Sequence, residues 1–508
     1  MKQMQRILIV TIALLLLLTA CASPDAQLPD QATEQPSSDT ENTPAPPSKE
    51  TEQPSESEVT PIADNIEGKP LNQFQVDVTL DVEAHRLLIH QELTYPNSTG
   101  SALHELYLNL IPNAFSEDGG GVDLTSLTAD GAEVSLLQFE ETVYQMSLPE
   151  PLPDGAALKI EMDYTVYIPN LENRFGYQDT VYNVGNFLIT PAVFEEGSWV
   201  VEPYVHLGDA FYSDLADYTV SIHVPEGYTV AAAGTLGADG AYHAHAVRDY
   251  VFCAADDFET MTAEEDGTEI LVYYRDEMHL TAARVLETSQ KSLALFNRLF
   301  GAYPYDTLTV VLSGLTGGVS GTEYPTLVMV GPEIPLEMLK DGFEEGDENG
   351  YRLILDRTVA HEIAHQWFYG IVGNDQIRYP FLDEGFCRFA EYLYEDAYPP
   401  EQPQPDFSYA MRDFLSSYSL ETKGDLTLSM TLYDWTDGEP ADYSNVYTYG
   451  AAMLYEMEEE MGKDAFRAAL RSYVDAFAYE FVTPEAFQSF WNAQADFSTP
   501  FQRYLNAQ

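Results

Sequence analysis

Cysteine and basic residues are scarce in this chain. Its 508 residues include three cysteines, and 23 lysines and arginines stand against 83 aspartates and glutamates, a formal net charge of -60. So few cysteines in so long a chain exclude a disulfide framework, and we expect Cys253 and Cys387 to be buried, unbridged thiols. The negative field repels phosphate backbones, so we expect no nucleic-acid partner. The simplest interpretation of the charge is a solvated surface that keeps the protein soluble, although it would also attract cationic groups.

Long apolar runs are also lacking, apart from a short one at the N-terminus. Ile7–Leu18 follows Lys2 and Arg6, and it has the length of a signal-peptide core rather than of a membrane span. The next residues, Leu18-Thr19-Ala20-Cys21, resemble a bacterial lipobox. That resemblance implies that residues 1–20 are a lipoprotein signal peptide and that Cys21 carries a lipid, which would place the protein on the extracytoplasmic face of the cell membrane. The alternative is an ordinary signal peptide with a cysteine there by chance.

Composition divides the rest of the chain into three parts. Residues 21–66 begin with the lipidated cysteine and continue as an acidic segment rich in Pro, Ser and Thr, which we predict to be a disordered tether. Residues 67–258 contain short alternating segments such as Phe74–Val82, separated by turns, and are predicted to form an antiparallel β domain. Residues 259–508 combine strands with later helices, so the predicted fold class is α+β. The predicted elements of this last part are strands Thr309–Leu312 and Leu327–Val330 and helices Leu280–Phe300, Leu353–Gly370, Glu384–Tyr394, Tyr449–Met461 and Lys463–Phe477.

One short motif carries the chemistry. His361-Glu362-Ile363-Ala364-His365 lies in a helical segment, where residues four apart share one face. Two imidazoles placed in this way can bind one zinc ion, and Glu362 can accept a proton from a water molecule beside it. After eighteen intervening residues beyond His365, Glu384 stands at the start of a second helix, well placed to be a third ligand. Two histidines and one glutamate leave one position of zinc open, as in a catalytic site.

These motifs resemble the gluzincin aminopeptidases, peptidase family M1. The resemblance rests on His361–Phe368 and Phe381–Phe386, and it extends to Phe300–Tyr305, Val446–Ala451 and, in the β region, Gly208–Ser213. It covers residues 67–508 and implies a thermolysin-like zinc peptidase domain, with a mixed sheet and helices, after the β domain. It also implies one Zn²⁺ per chain and peptide substrates.

The resemblance assigns roles to individual residues. It implies that His361, His365 and Glu384 bind zinc and that Glu362 is the general base. Tyr447 would donate a hydrogen bond to the oxyanion, although Tyr443 and Tyr449 lie nearby in the sequence.

Two helical turns beyond Glu384, Glu391 shares its face. It would orient one of the zinc-binding histidines, or it is simply a solvated helix glutamate.

The segment that binds the substrate amine departs from the family pattern. The family's G-x-M-E-N strand corresponds to Ser320–Tyr324, in which Glu323 is kept as the expected anchor of the substrate ammonium and Gly321 as a backbone contact to the substrate. The family's second amine-binding residue, from the β domain, has no counterpart among the apolar and small residues of Leu188–Val193.

Three functions remain open after this reading. The leading hypothesis is an aminopeptidase that acts on extracellular peptides, because the motif residues and Glu323 are present. The chain ends at Gln508, so we expect no large helical cap, and the cleft would be open or would be closed by an envelope protein partner. An open cleft and the altered strand favour a zinc endopeptidase as the alternative. A binding lipoprotein without turnover is the third possibility, and the intact Glu362 argues against it.

Overall fold

The computed structural model describes residues 59–315, 320–331, 335–336, 347–400, 411–417, 427–436 and 443–505. The predicted signal peptide, Cys21 and all but the last few residues of the tether lie outside these residues. Among the residues that the structure describes, none of the helices combines the length and the apolar composition that a membrane span requires.

The N-terminal region is built from strands. The largest sheet has eight strands, and two four-stranded sheets and a short hairpin pack beside it. All but one of the strand pairs are antiparallel, as predicted; the exception is β1, which pairs in parallel with β14. The strands are β1 (Asn72–Asp81), β2 (Arg86–Pro96), β3 (Leu103–Asn109), β4 (Gly121–Ala129), β5 (Ala132–Glu133), β6 (Leu136–Gln138), β7 (Val143–Leu152), β8 (Ala157–Tyr167), β9 (Phe175–Gln178), β10 (Val181–Val184), β11 (Thr190–Pro191), β12 (Phe194–Glu195), β13 (Ser198–Trp199), β14 (Ala216–His223), β15 (Thr229–Ala232), β16 (Thr235–Leu236), β17 (Tyr242–Val247) and β18 (Phe252–Ala255).

A five-stranded mixed sheet begins the C-terminal region, in the order β19, β20, β21, β23, β22. Its strands are β19 (Phe258–Glu265), β20 (Thr268–Arg275), β21 (Thr307–Leu312), β22 (Gly321–Tyr324) and β23 (Leu327–Val330). The helices are α1 (His279–Phe300), α2 (Asp347–Ala364), α3 (Phe381–Ala397), α4 (Met411–Ser417), α5 (Leu432–Thr436), α6 (Ser444–Met461), α7 (Lys463–Phe477), α8 (Pro484–Gln494) and α9 (Ser498–Tyr504).

The strands β21, β22 and β23 of the mixed sheet are buried on both faces. Along β23, Val328 and Val330 enter the core of the helical layer, whereas Leu327 and Met329 enter the core of the β region. Successive side chains of a strand point to opposite faces, so a strand between two cores has to be apolar at every position. This explains why the segment shows an unbroken apolar run instead of an alternating pattern. It also places β22, the edge strand that carries Glu323, between the two layers.

Several helix boundaries differ from the sequence prediction. The helix of the zinc motif ends at Ala364 rather than Gly370, and turns follow it. The next helix begins at Phe381, so Glu384 is its fourth residue. Tyr447 lies inside α6, which begins at Ser444 and not at Tyr449. The periodicity of apolar residues is a poor guide here because almost every side chain around the site is buried, on all faces of these helices.

The packed chain also begins earlier than the composition predicts. Val59–Ile66, assigned to the disordered tether, lies against the C-terminal region. Thr60 accepts a hydrogen bond from the backbone of Ala302, and Asn65 donates to the carbonyls of Asp475 and Ala478. A short segment can thus be held by hydrogen bonds to backbone groups, which a composition argument does not count.

Candidate zinc peptidase site

The two histidines of the motif and Glu384 form a compact cluster of metal-binding atoms. Nε2 of His361 lies 3.1 Å from Nε2 of His365 and 3.1 Å from Oε2 of Glu384, and Nε2 of His365 lies 3.5 Å from the same oxygen. Ligand atoms about 2.0–2.1 Å from a tetrahedral ion are roughly 3.3 Å apart. The three atoms therefore have the spacing, and the chemical type, that zinc requires.

The remaining ring nitrogens of the histidines face acceptors. Nδ1 of His361 lies 3.0 Å from a carboxylate oxygen of Glu391, and Nδ1 of His365 lies 3.2 Å from the carbonyl oxygen of Phe368. Each acceptor keeps a proton on Nδ1, which leaves Nε2 as the metal-binding atom. Glu391 is 3% exposed. The structure thus places Glu391 against His361 in the interior and not in solvent.

Charges within the cluster favour an ionised Glu384. Burial opposes its ionisation, but the hydrogen bonds from His361 and His365 outweigh burial and hold the pKa of Glu384 below its ordinary value. A carboxylate oxygen together with two imidazole nitrogens is a ligand set suited to Zn²⁺.

Glu362 packs against the edge strand β22. A Cβ atom at Gly321 would lie 2.1 Å from Oε1 of Glu362, so only glycine leaves room for this carboxylate. The other oxygen, Oε2, is buried and has no hydrogen-bond partner among the described residues. Burial raises the pKa of Glu362 to about 7. A carboxylate of this kind, next to a metal site, is suited to exchange a proton with a water molecule or a substrate.

Glu323 borders the same centre. It is 3% exposed, and metal-binding atoms of Glu323, Glu362 and His365 lie within 4.8 Å of one another. Burial, followed by the charge of Asp209, raises the pKa of Glu323 well above its ordinary value. A concentration of carboxylates in the interior is costly unless a cation compensates it. The arrangement therefore favours a positively charged ligand at Glu323.

Tyr447 and Tyr443 both face the metal-binding cluster. The ring of Tyr447 lies 5.8 Å from that of His361 and 5.6 Å from that of Tyr443, whereas Tyr449 packs against Tyr504. Burial and the neighbouring Glu384 raise the pKa of Tyr447 well above its ordinary value, so its hydroxyl keeps its proton and can donate it. The buried hydroxyl of Tyr443 has no hydrogen-bond partner in the described part of the chain.

The position of Tyr447 depends on a close contact between α3 and α6. A Cβ atom on Gly450 would lie 2.6 Å from the Cα atom of Gly385, so the two helices touch at a pair of glycines. Glu384 precedes one of these glycines, and Tyr447 lies one turn before the other. The glycine contact thus brings the third cluster residue and the tyrosine together.

The sequence does not predict the polar residues that surround Glu323. Gln376 donates a hydrogen bond to it, and Arg174 and Asp209 form a buried ion pair close to the cluster. Gln366 accepts a hydrogen bond from the backbone of Thr326 and donates one to the carbonyl of Tyr324. Gln366 directly follows His365, so its place beside the zinc motif is a sequence signal from which its position near the site could be predicted. The other three lie far from the motif or in a loop, where spacing along the chain fixes no position.

Residues 284–502 match the family model of the peptidase family M1 domain. This part of the chain is a peptidase family M1 domain. The family prediction from the sequence is thereby confirmed, as are the α+β fold class and zinc as the metal of this family.

Curated relatives share part of their length with this chain. Aminopeptidase M1-A of Oryza sativa subsp. japonica is 26% identical over 215 residues, which are 42% of this chain and 24% of that protein. Aminopeptidase N of Oryctolagus cuniculus is 31% identical over 133 residues, 24% of this chain and 13% of that protein. The chain thus spans about a quarter or less of the length of these relatives.

A solved structure matches almost the whole fold. The M1 zinc metallopeptidase from Deinococcus radiodurans superposes with a TM-score of 0.61 at 18% identity, over 89% of this chain and 95% of that chain. At this identity the match establishes the fold alone. It extends over the β region as well as the part that the family model covers.

Proposed function

We propose that this M1 chain is a zinc aminopeptidase that releases N-terminal residues from peptides. The observation that carries the proposal is the position of the Glu323 carboxylate beside Glu362 and His365, all within 4.8 Å. One residue adds about 3.3–3.6 Å of extended chain. A substrate ammonium held by Glu323 therefore leaves room for a single residue before the peptide bond that faces Glu362.

Each residue of the site has a separate role in peptide-bond hydrolysis. His361, His365 and Glu384 would hold zinc, which would supply a Lewis acid for the scissile carbonyl and the attacking water. Glu362 takes a proton from that water and returns it to the leaving amine.

Contacts to the reacting groups come from both sides of the cluster. The Tyr447 hydroxyl donates a hydrogen bond to the oxygen that becomes negative in the transition state. Glu323 fixes the ammonium, and the backbone of Gly321 lies along the bound substrate. Glu391 keeps the ring of His361 in its orientation.

Relatives provide support for the substrate class. Those reported above carry the name aminopeptidase. A variant of the Deinococcus enzyme has been solved with a Tyr-Ser-Ala substrate, and the same fold has been solved with L-arginine and with L-tryptophan. A tripeptide and single amino acids are the substrate and product classes of an aminopeptidase.

The decisive experiment uses one peptide in two forms, with a free and with an acetylated N-terminus. The soluble protein that starts after Cys21 is incubated with each, and mass spectrometry follows the products. We expect stepwise loss of residues from the free peptide only, abolished by a chelator and restored by zinc. Cleavage of both peptides at internal bonds would instead identify an endopeptidase, and no cleavage of either would favour a binding protein.

We further propose that a lipid on Cys21 holds the enzyme on the extracytoplasmic face of the membrane, where it would act on extracellular peptides. The support is the sequence of residues 2–21 alone. The Cys21→Ser variant should lose the lipid and appear in the soluble fraction after cell fractionation, whereas Cys253→Ser should remain in the membrane fraction. An equally membrane-bound Cys21→Ser variant would contradict the anchor.

A further inference from the structure

Gln376 is a buried side chain in contact with Glu323. It lies in the segment between α2 and α3 and is 2% exposed. Its Nε2 donates a hydrogen bond to Oε1 of Glu323 at 3.3 Å. Within the described part of the chain, it is the one side chain that hydrogen-bonds this carboxylate. Neither the zinc motif nor the family resemblance assigns it a role.

The segment around Gln376 is held on both sides. The carboxylate of Asp375 accepts hydrogen bonds from the backbone nitrogens of Ile377 and Arg378, at 3.0 and 2.9 Å. The carbonyl of Ile377 accepts from the backbone nitrogen of Leu432 at 2.8 Å, and Gly373 exchanges backbone hydrogen bonds with the chain around Phe481. The amide of Gln376 is therefore fixed in place before any substrate arrives, which lowers the entropic cost of using it.

The Glu323 carboxylate needs such a partner. Metal-binding atoms of Glu323, Glu362 and His365 lie within 4.8 Å of one another, so Glu323 shares a crowded, buried site with a second carboxylate. A carboxylate among like charges turns away from them unless a donor holds one of its oxygens. Because Gln376 holds Oε1, the other oxygen, Oε2, remains available to a ligand.

We propose that Gln376 is the positioning residue of the amine site. Its amide holds one oxygen of Glu323 so that the second oxygen receives the substrate ammonium. In the β region, Leu188–Val193 contains only apolar and small residues. The inference rests on the proposed aminopeptidase function and deepens it. Gln376 would set the selectivity for a free N-terminus without taking part in bond cleavage.

The test measures how strongly the zinc-loaded enzyme recognises an amine. Two inhibitors are used, an amino-acid hydroxamate and the same hydroxamate without its amino group, because both bind zinc and only one carries the ammonium. In the wild type the ratio of the two inhibition constants reports amine recognition. We expect Gln376→Leu to reduce this ratio about tenfold, the effect of losing one hydrogen bond to a charged group. The inhibition constant of the inhibitor without the amine should stay within twofold.

Kinetics and a matched control separate positioning from stability. For a free-amine peptide, Gln376→Leu should raise KM about tenfold and change kcat little. Gln91→Leu, which removes another buried glutamine bound to Ile189 and Tyr164, should lower stability and leave the inhibitor ratio unchanged. In a Glu323→Ala background, Gln376→Leu should have no further effect on the ratio, because the amide then has no carboxylate to hold.

The outcomes separate a failure of the role inferred for Gln376 from a failure of the proposed aminopeptidase function. A wild type that binds both hydroxamates equally would contradict the aminopeptidase proposal itself. A wild type that prefers the amine, together with a Gln376→Leu variant that keeps the full preference, would overturn the role of Gln376 alone. If Gln376→Leu does not accumulate as folded protein, Gln376→Met, which has the same length without the amide, gives the same two results.

Discussion

The carboxylate of Glu362 has one oxygen against Gly321 and a second that lacks a hydrogen-bond partner among the residues the structure describes. We predict that Glu362→Gln, which keeps the shape and removes the base, binds zinc like the wild type and loses turnover by a factor of about 10²–10⁴, the range for a general acid–base group. Metal analysis and kcat on a free-amine peptide measure the two properties. The control is Glu460→Gln, on the exposed end of α6. Turnover close to the wild type in Glu362→Gln would remove this residue from the mechanism.

Three tyrosines of one segment permit a matched comparison. Tyr447 lies beside His361 and Glu384, Tyr443 is next to it, and Tyr449 packs against Tyr504. Loss of a donor to the oxyanion costs about 10²–10³ in kcat, so Tyr447→Phe should lower kcat by that factor with little change in KM. Tyr449→Phe should have near wild-type kinetics. If Tyr443→Phe rather than Tyr447→Phe abolishes turnover, the oxyanion donor has been assigned to the wrong tyrosine.

At the scale of residues, a site residue can be predicted from the sequence where its spacing along the chain determines its distance from the other site residues. His361 and Glu362 lie in the last turn of α2, and His365 directly follows it with its backbone nitrogen still bonded to the carbonyl of His361. Their four-residue spacing therefore fixes their geometry, and the structure brings them together with Glu384 and Tyr447. Glu391 could be placed on a helical face but not assigned to interior or solvent, because that depends on which elements pack over it. Gln376 lies in an irregular segment, for which no periodicity relates sequence to position. The amine site is accordingly the part of the centre that sequence reasoning leaves incomplete.

Among the structural elements, the glycine contact between α3 and α6 sets the position of Tyr447. In an isolated helix, glycine is less favourable than alanine by about 1 kcal/mol, so Gly450→Ala would stabilise an exposed helix. Here the added Cβ atom would lie 2.6 Å from Gly385. We therefore predict a net loss of stability of about 1–3 kcal/mol, as for other overpacked sites, and a lower kcat because Tyr447 moves relative to Glu384.

Thermal unfolding and kinetics of the zinc-loaded protein test this contact. Ser489→Ala, at an exposed position of α8, is the control for substitution by alanine in a helix, and it should leave both stability and kcat near the wild type. A Gly450→Ala variant that is more stable than the wild type would show that the two helices separate without cost.

The elements themselves were predictable where their burial is simple. β1 alternates buried and exposed residues along its whole length, and its sequence predicts it. α7 has a buried and an exposed face and was predicted with its bounds unchanged. α2 and α3 are buried almost all round near the site, so their ends could not be read from periodicity. The packed segment of residues 59–66 is held by hydrogen bonds to Ala302, Asp475 and Ala478, partners that lie far away in the sequence and that composition does not reveal.

On the scale of the whole molecule, the β region and the C-terminal region are joined by buried charged groups. Arg248 donates hydrogen bonds to the carbonyls of Tyr369 and Glu480, at 2.9 and 3.2 Å. The hydroxyl of Tyr369 donates to Asp249 at 2.6 Å, and Ser213 donates to the same carboxylate at 3.3 Å. Burial raises the pKa of Asp249 to about 6, against the effect of these hydrogen bonds and of Arg248. Protonation of this carboxylate is therefore coupled to the stability of the contact between the two regions.

The stability of the protein should fall as the pH rises from about 4 to about 6. In that interval the folded protein holds a proton on Asp249 that the unfolded chain, with an ordinary aspartate pKa, has released, and each unit of pKa difference corresponds to about 1.4 kcal/mol. The net charge of -60 acts in the same direction, because protonation reduces repulsion among the carboxylates.

High salt screens the exposed charges and leaves the buried group little affected. At high salt, the Tm of the wild type should thus decrease between about pH 4 and about pH 6, and the Tm of Asp249→Asn should decrease less. The control Asp464→Asn, at an exposed helix end, should show the same decrease as the wild type. Identical pH profiles for the wild type and Asp249→Asn would show that Asp249 ionises normally and that the contact between the regions does not depend on its proton.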